Sequence, residues 1–456
     1  MTHASSDRIL SGAVIPTFFY FVIPSIAALL ALTTANLVDG LFIGNFVGAD
    51  ALAAINFLIP YLALVFGLAL MLAIGGSVRA GKFLGEKNSQ AASAIFSKCV
   101  ITVVVFALVM ASINLLFSRW IFSALGAPES LHPLMRDYFH IIACFLPAQL
   151  LSVVLYYFIR ANGKPVMATV ALTSGALGNM VLDALFIGYF QWGIAGAAWA
   201  TGLSQLLQLS ILCCYFWQPS RRLHFQFRQT QWTEVRQAAF NGISEFVNEM
   251  SGGLVILVVN WLLVTRIGVD GVSAFTVINY CLFASLMIFY GIADAMQLLV
   301  AQNFGARQVQ RIRQFMFTSV VAILTLGGVL IALLLGGRAH WVGWFVSAHE
   351  TAVIALAADF ILVIWPIFLV NGLNVLLSSY LTAIHRPASS ATIALLRSLI
   401  LPISLLMLLS WWLPDYSLLI ALPLAEWLTF LVALLLFFRF KPAALFTAEE
   451  LIASRC

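Results

Sequence analysis

The chain has 456 residues, of which 62% are hydrophobic and only 9% charged, with a formal net charge of +5 and a mean hydropathy of +1.02. A soluble domain carries about 25% charged residues, so a water-solvated globular protein is excluded and lipid must be the solvent. The basic residues are scattered over short segments and form no patch, which excludes nucleic acid as a partner.

Apolar runs recur along the whole length, and about 20 residues suffice to cross a bilayer. Backbone groups in hydrocarbon must be bonded internally, so the spans are helices. Alternating ten-residue segments of the kind a transmembrane barrel needs do not occur. The first run begins at Val14 and continues through Leu32 to Asp39. It is too long for the apolar core of a signal peptide and is expected to remain as a first helix.

Loop punctuation then predicts twelve spans: 12–43, 51–80, 92–118, 133–159, 166–189, 194–217, 238–265, 272–303, 314–337, 351–383, 390–412 and 417–438. Lysine and arginine accumulate in cytoplasmic loops. With the amino terminus cytoplasmic, all 23 basic residues except Arg119, Arg136, Arg266 and Arg338 fall on the inside. That tally includes Arg228, Arg397 and Arg455. One span more or fewer would scramble it, so both termini are expected to be cytoplasmic. The polar stretch 218–237 joins an amino-terminal half, 1–217, to a carboxy-terminal half, 238–456. No separate soluble domain is expected.

The halves repeat weakly at an offset of 220 residues. Gly48-Ala49-Asp50-Ala51 aligns with Gly268-Val269-Asp270-Gly271, Ala54 with Ala274, and Phe83-Leu84-Gly85-Glu86-Lys87 with Asn303-Phe304-Gly305-Ala306-Arg307. Six spans per half is even, so both halves enter from one side as parallel repeats, the plan of transporters that rock two bundles about a central substrate. The expected fold is therefore an all-α integral membrane protein, twelve transmembrane helices in two pseudo-symmetric six-helix bundles.

Ionised groups inside a membrane cost several kcal/mol and are functional candidates by default. Asp39 lies near the outer end of the first span, Asp183 about seven residues from the outer end of the fifth, and Thr201 about seven inside the sixth. At 1.5 Å per residue each sits roughly 10 Å deep. Asn179 precedes Asp183 by four residues and shares its helix face. Asp39, Asn179, Asp183 and Thr201 form a hard-oxygen set that could hold Na+. The two aspartates could instead exchange protons, because close like charges raise one pKa. Neutralising them by either route would let the first helix bend at Pro24, since proline kinks helices.

The carboxy-terminal half has its own polar groups. Glu245 and Glu249 stand four apart on one face of the seventh span with Asn248 between them. Asn371 and Asn374 are three apart in the tenth, beside the further acids Asp359 and Glu426. They read either as interhelical hydrogen-bond formers or as a second acidic wall attracting cations. The six cysteines, Cys99, Cys144, Cys213, Cys214, Cys281 and Cys456, show no metal spacing and read as reduced packing residues.

In order and spacing, several segments resemble the multidrug and toxic compound extrusion (MATE) family. They are Pro24-Ser25; Val38-Asp39-Gly40-Leu41-Phe42-Ile43-Gly44; Gly48 with Ala51-Leu52-Ala53-Ala54; Arg160-Ala161-Asn162-Gly163-Lys164-Pro165; Asn179-Met180-Val181-Leu182-Asp183; and Gly193-Ile194-Ala195-Gly196-Ala197-Ala198-Trp199-Ala200-Thr201. The likeness covers nearly the whole chain and points to the bacterial branches with an acidic site in the amino-terminal lobe. It implies two six-helix lobes, alternating access, and efflux of organic cations and drugs driven by H+ or Na+. The family's ion-coupling residues fall on Asp39, Asn179, Asp183 and Thr201. A tyrosine bordering that site matches Tyr138, which could equally be an interfacial anchor. Relatives often carry an asparagine in the middle of the fourth helix. This chain has Pro147-Ala148-Gln149 there, so Gln149 joins Tyr138 as a possible site-lining residue. A helix 7 acid of some branches could match Glu245 or Glu249.

Three other functions compete with this expectation. A lipid-linked oligosaccharide flippase of the same superfamily would line its cavity with arginine and lysine, whereas the intramembrane ionisable groups here read as mostly acidic. An intramembrane enzyme needs a nucleophile or ligand set, and His3, His132, His140, His224, His340, His349 and His385 lack ligand spacing. A channel would show a pore loop. The expectation is an inner-membrane monomer, not an enzyme, with no cofactor beyond the coupling ion and with cationic or amphiphilic small molecules as partners.

Overall fold

The structure is a computed structural model that describes residues 4–219, 221–226, 232–336, 351–413 and 415–446. Arg228, Arg338, Arg455, Cys456, His3, His340, His349 and the last residue of the ninth predicted span lie outside the described residues.

Among the described residues there are helices and turns but no strands. Eleven helices are long and apolar enough to cross a membrane. These are α1 (Val14–Val47), α2 (Ala49–Gly85), α3 (Ser89–Leu116), α4 (Glu129–Ala161), α5 (Pro165–Tyr189), α6 (Gly193–Trp217), α7 (Ile243–Arg266), α8 (Val269–Gly305), α9 (Val309–Gly336), α11 (Pro387–Leu409) and α12 (Tyr416–Ala444). The twelfth span, α10, is broken into Ala352–Ile364 and Ile367–Ala383, bent by 54°. Trp365-Pro366 sits at the break, where proline supplies no N–H and the Trp427 indole donates to the Pro366 carbonyl at 3.2 Å. The expected single span of 351–383 is thus two segments.

The internal repeat extends to the backbone. α2 and α8 are both 37 residues long, and α3 and α9 both 28, at the same offset of 220. Left-handed backbone recurs at matching positions. Gly48 pairs with Gly268, Lys87 with Arg307, and, two residues out of register, Gly163 with His385. Lys87 and Arg307 have φ of 58° and 56°, an uncommon conformation for a residue with a Cβ. Two such outliers 220 residues apart fix the register better than any identity between the halves.

The chain forms two compact units, residues 1–246 with 301–306, and residues 247–300 with 307–456. In the first, α4 packs on α2, α3 and α6, while α5 packs on α1 and α6. Two apolar cores fill this unit. One, toward the end bearing most of the basic residues, is built around Phe96, Leu150, Phe158, Leu212 and Tyr215. The other, toward the opposite end, contains Ile43, Leu58, Phe122, Met135, Phe139 and Ile187. The second unit has a core around Val259, Phe275, Phe360, Phe368 and Leu406.

Part of the polar stretch 218–237 is fastened to the first unit. Leu223 N donates to Tyr215 Oη at 3.2 Å, and Gln226 N to Ser97 Oγ at 2.7 Å. A short helix, Thr233–Asn241, follows and ends at Gly242. It lies within what the hydropathy pattern reads as linker and the start of the seventh span. Arg79 on α2 pairs with Glu234 and donates to Gln237 Oε1 at 2.7 Å. The backbones come so close that a Cβ on Gly75 would lie 1.8 Å from the Ala238 carbonyl oxygen. α7 therefore begins at Ile243, five residues later than expected. Of the five described cysteines, all unpaired, Cys99 is buried, whereas Cys144 and Cys214 are exposed and pack against little.

A second close crossing joins α2 to the end of α8, residues 301–305, within the same unit. A Cβ on Gly85 would stand 2.0 Å from the Gln302 carbonyl oxygen, and one on Gly305 would stand 2.0 Å from that of Lys82. Overpacking of this kind costs about 1–3 kcal/mol. Gly85→Val and Gly305→Val are each expected to lower the thermal midpoint of the detergent-solubilised protein, measured by size-exclusion after heating. Gly328→Ala, which meets nothing within 4 Å, should not lower it.

Candidate functional site

Four helices of the first unit carry the amino-terminal polar residues. α1 carries Asp39, α4 Tyr138, α5 Asn179 and Asp183, and α6 Thr201. Asp183 is fully buried, Asn179 and Tyr138 are buried, and Asp39 and Thr201 are half-buried. Asp39 acts electrostatically on Asp183, and both act on Tyr138. The two carboxyl groups and the phenol thus share one low-dielectric region. Tyr138 is a member of the apolar core at that end of the unit.

These groups are polar without being bonded to one another. Asp39 Oδ1, both oxygens of Asp183 and Asn179 Nδ2 are buried and find no hydrogen-bond partner among the described residues. Buried polar atoms are otherwise nearly always paired, and an unpartnered buried carboxylate is among the most expensive groups a fold can hold. Such a pair is stable when at least one member is protonated or when a cation stands between them. Asn179, one turn before Asp183, adds a neutral polar group on the same face. Thr201 lies on α6, which packs against α5. Its carbonyl accepts from Ser204 Oγ at 2.7 Å.

Local backbone sets the site apart. α1 closes in a π turn, Ile43–Val47, four residues past Asp39, and Asp183 immediately precedes another, Ala184–Tyr189. Such i→i+5 widenings are rare and are frequent at functional sites. Deeper in α1, Pro24 is held from two sides. Thr169 Oγ1 on α5 donates to the Pro24 carbonyl at 2.9 Å, and Arg160 Nη2 from α4 donates to Ser25 Oγ at 2.6 Å. α1 runs through Pro24 without a break. Gln149 is half-buried on α4, eleven residues from Tyr138, or about 16 Å along the axis. It is therefore at another depth.

The carboxy-terminal residues divide differently. Asn374 is fully buried, and its Nδ2 donates to Glu426 Oε2 at 2.7 Å and to the Glu426 carbonyl at 2.8 Å. Asn371 is half-buried with Oδ1 unpartnered. Glu245 opens α7 and is half-buried, while Glu249 is exposed one turn on.

Arg397 requires a correction. The positive-inside tally treats it as a cytoplasmic loop residue, but it is buried ten residues into α11, about 15 Å along the helix. It lies in a third π turn, Leu396–Ile400, where Pro402 removes the bond that the Ser398 carbonyl would accept. The signal was present in the sequence, since the predicted eleventh span already contained this arginine. The reading of intramembrane charge as mostly acidic has Arg397 against it, and Lys98 and Arg160 are also buried within spans.

A family model for MatE matches residues 24–185 and again 249–408, once in each half. The chain belongs to the MatE family. It is a membrane transporter and not an enzyme. Its relatives include the FAD transporter of Shewanella oneidensis, 26% identical over 416 residues, which covers 89% of this chain and 90% of the relative. They also include the multidrug export protein MepA of Staphylococcus haemolyticus, 23% identical over 395 residues, with 86% of each chain covered. Among solved structures, a MATE protein in complex with MaD3S superposes with a TM-score of 0.90 at 18% identity, covering 98% of this chain and 99% of that one. This MatE chain therefore has the MATE fold, with a twofold match that follows its internal repeat.

Replacing one buried, unpartnered carboxyl with its neutral isostere removes the cost of its charge while conserving volume. Asp183→Asn is expected to stabilise the solubilised protein by about 1–3 kcal/mol, read as a rise in thermal midpoint. An unchanged or lowered midpoint would mean that Asp183 is already compensated.

Proposed function

We propose that this MatE protein is an ion-coupled antiporter that exports lipophilic organic cations and drugs, with H+ or Na+ as the driving ion. The observation that carries the reading is the pair Asp39, half-buried, and Asp183, fully buried, which act on each other electrostatically and whose buried oxygens find no hydrogen-bond partner among the described residues. A resident structural pair would have donors built around it. This one has its charge left over for something that comes and goes. The names of the MepA relatives support a drug-export role.

In this reading the lobes are residues 1–217 and 238–456, joined by 218–237, and the protein works as a monomer in the inner membrane with both termini in the cytoplasm. Asp39 and Asp183, empty and ionised, attract a cation into the amino-terminal lobe. A proton shared between them, or Na+ held with Asn179 and Thr201, cancels that charge. Tyr138 walls the pair on the α4 side, and its hydroxyl can bond whichever carboxyl is occupied. Neutralisation weakens the hold on cationic cargo. It also lets α1 rearrange about Pro24, where the bonds from Thr169 to the Pro24 carbonyl and from Arg160 to Ser25 set the resting shape. Coupling arises because the ion and the drug compete for one charge.

The deciding measurement is uptake of ethidium into inverted membrane vesicles under separately imposed H+ and Na+ gradients. One gradient should drive uptake in the wild type. Asp39→Asn and Asp183→Asn should each reduce coupled uptake by at least about tenfold, since a tenfold change corresponds to only about 1.4 kcal/mol. Normal gradient-driven uptake in both variants would refute the assignment.

A further inference from the structure

The acid pair of the amino-terminal half has no use for the buried cation of the other half. Within the second unit, Arg397 interacts with side chains from three other spans. Its Nη2 donates to Tyr290 Oη on α8 at 2.6 Å and to Asn248 Oδ1 on α7 at 3.4 Å. The guanidinium lies 5.6 Å from the Tyr290 ring centroid. Ser398 Oγ donates to the same Asn248 oxygen at 3.0 Å. Glu426 on α12 acts on Arg397 electrostatically and is itself held by Asn374 on α10. Arg397, Asn374 and Glu426 are buried, whereas Tyr290, Asn248 and Ser398 are half-buried. The cluster therefore has a closed acidic floor and an accessible rim made of a phenol, an amide and a hydroxyl.

A guanidinium near the middle of a membrane span is as costly as a buried acid. Mere packing of α11 against its neighbours would be achieved more cheaply by apolar residues. Arginine is also the side chain that fits planar oxyanions, offering up to two parallel N–H bonds where lysine offers a point charge. Here it is held by its bonds to Tyr290 and Asn248, both half-buried. Glu426, fixed from behind by Asn374, offsets the charge when no anion is present. The π turn at 396–400 places Arg397 in the same unusual backbone setting that marks the two aspartates, although its charge has the opposite sign.

We infer that Arg397, with Tyr290, Asn248 and Ser398, forms a second substrate-recognition site that binds the phosphate or carboxylate of an aromatic anion. The substrate class then extends beyond cations to flat ring systems bearing an acidic group. The phenol ring of Tyr290 offers a face for the ring system, and the guanidinium takes the oxyanion. This rests on the chain being a transporter but not on the coupling role of Asp39 and Asp183. A relative named as an FAD transporter shows that a chain of this family can be matched to a phosphate-bearing flavin.

The test compares two probes, FAD and ethidium, in inverted vesicles containing the full chain. Wild type should take up both. Arg397→Gln should raise the KM for FAD by about 10- to 100-fold, the range for losing a hydrogen bond to a charged group, with the KM for ethidium changed less than about twofold. Arg397→Lys should fall between the two. Tyr290→Phe, which keeps the ring, should raise the FAD KM by about 2- to 10-fold. If Arg397→Gln does not yield monodisperse protein, Arg397→Lys and Tyr290→Phe are judged by the same selectivity. Wild type that moves ethidium but not FAD would overturn the inference, as would equal loss of both probes in well-folded variants. Loss of gradient-driven ethidium uptake in the wild type would instead sink the antiport reading, and Arg397-dependent FAD uptake would still stand.

Discussion

Charge held where lipid surrounds the protein is the constraint on which the other features turn. Water cannot reach most of these helices, so each buried ionisable group must be neutralised, bonded or matched by a guest. Arg160 is bonded to Ser25 and lies over the Tyr156 ring, and Glu426 is bonded to Asn374. Asp39 and Asp183 are neither bonded nor paired. Much of the amino-terminal unit can be understood as the scaffold that tolerates them. α4 and α6 pack tightly on their neighbours, apolar cores lie toward both ends, and π turns follow each acidic residue. A site assembled from rigid helices can hold an unfavourable arrangement that an isolated helix could not.

The number of spans was legible because lipid leaves few alternatives. A run of twenty apolar residues must be a helix, and the basic loops alternate with it. The acidic candidates were legible for the same reason, since a lone Asp183 in an otherwise apolar run stands out. What could not be read were features decided by tertiary contact. The helix Thr233–Asn241 is too short and polar for a hydropathy pattern to find, and it exists because Gly75 and Gly242 allow it to lie against α2. The break in α10 needed Trp427 as well as Pro366. The burial of Tyr138 in the apolar core could not be read from its place near a helix start. Arg397 was misread because a rule about loops was applied to a residue within a span.

The two halves descend from one plan but have diverged in charge. The repeat keeps helix lengths and turn conformations, down to the left-handed Lys87 and Arg307. The chemistry does not follow the register. Asn179 and Asp183 have no acidic counterpart in α11, whose buried charge is an arginine. Backbone geometry is constrained by packing and loop closure, whereas intramembrane polar residues respond to what is carried. This separation allows a transporter family to change cargo without changing its fold.

The crossing of α2 and α8 records how such a chain could arise. Gly85 abuts the Gln302 carbonyl and Gly305 abuts that of Lys82, and both pairs are related by the offset of 220. This is the reciprocity of an isologous contact, in which residue i meets j and j meets i. In a homodimer of a six-helix ancestor, a single glycine would have created both halves of that contact at once. In this chain the two positions are separate, each able to mutate alone, yet neither can gain a side chain without striking the other helix. The crossing thus writes one symmetric contact twice, so that either glycine alone can break it.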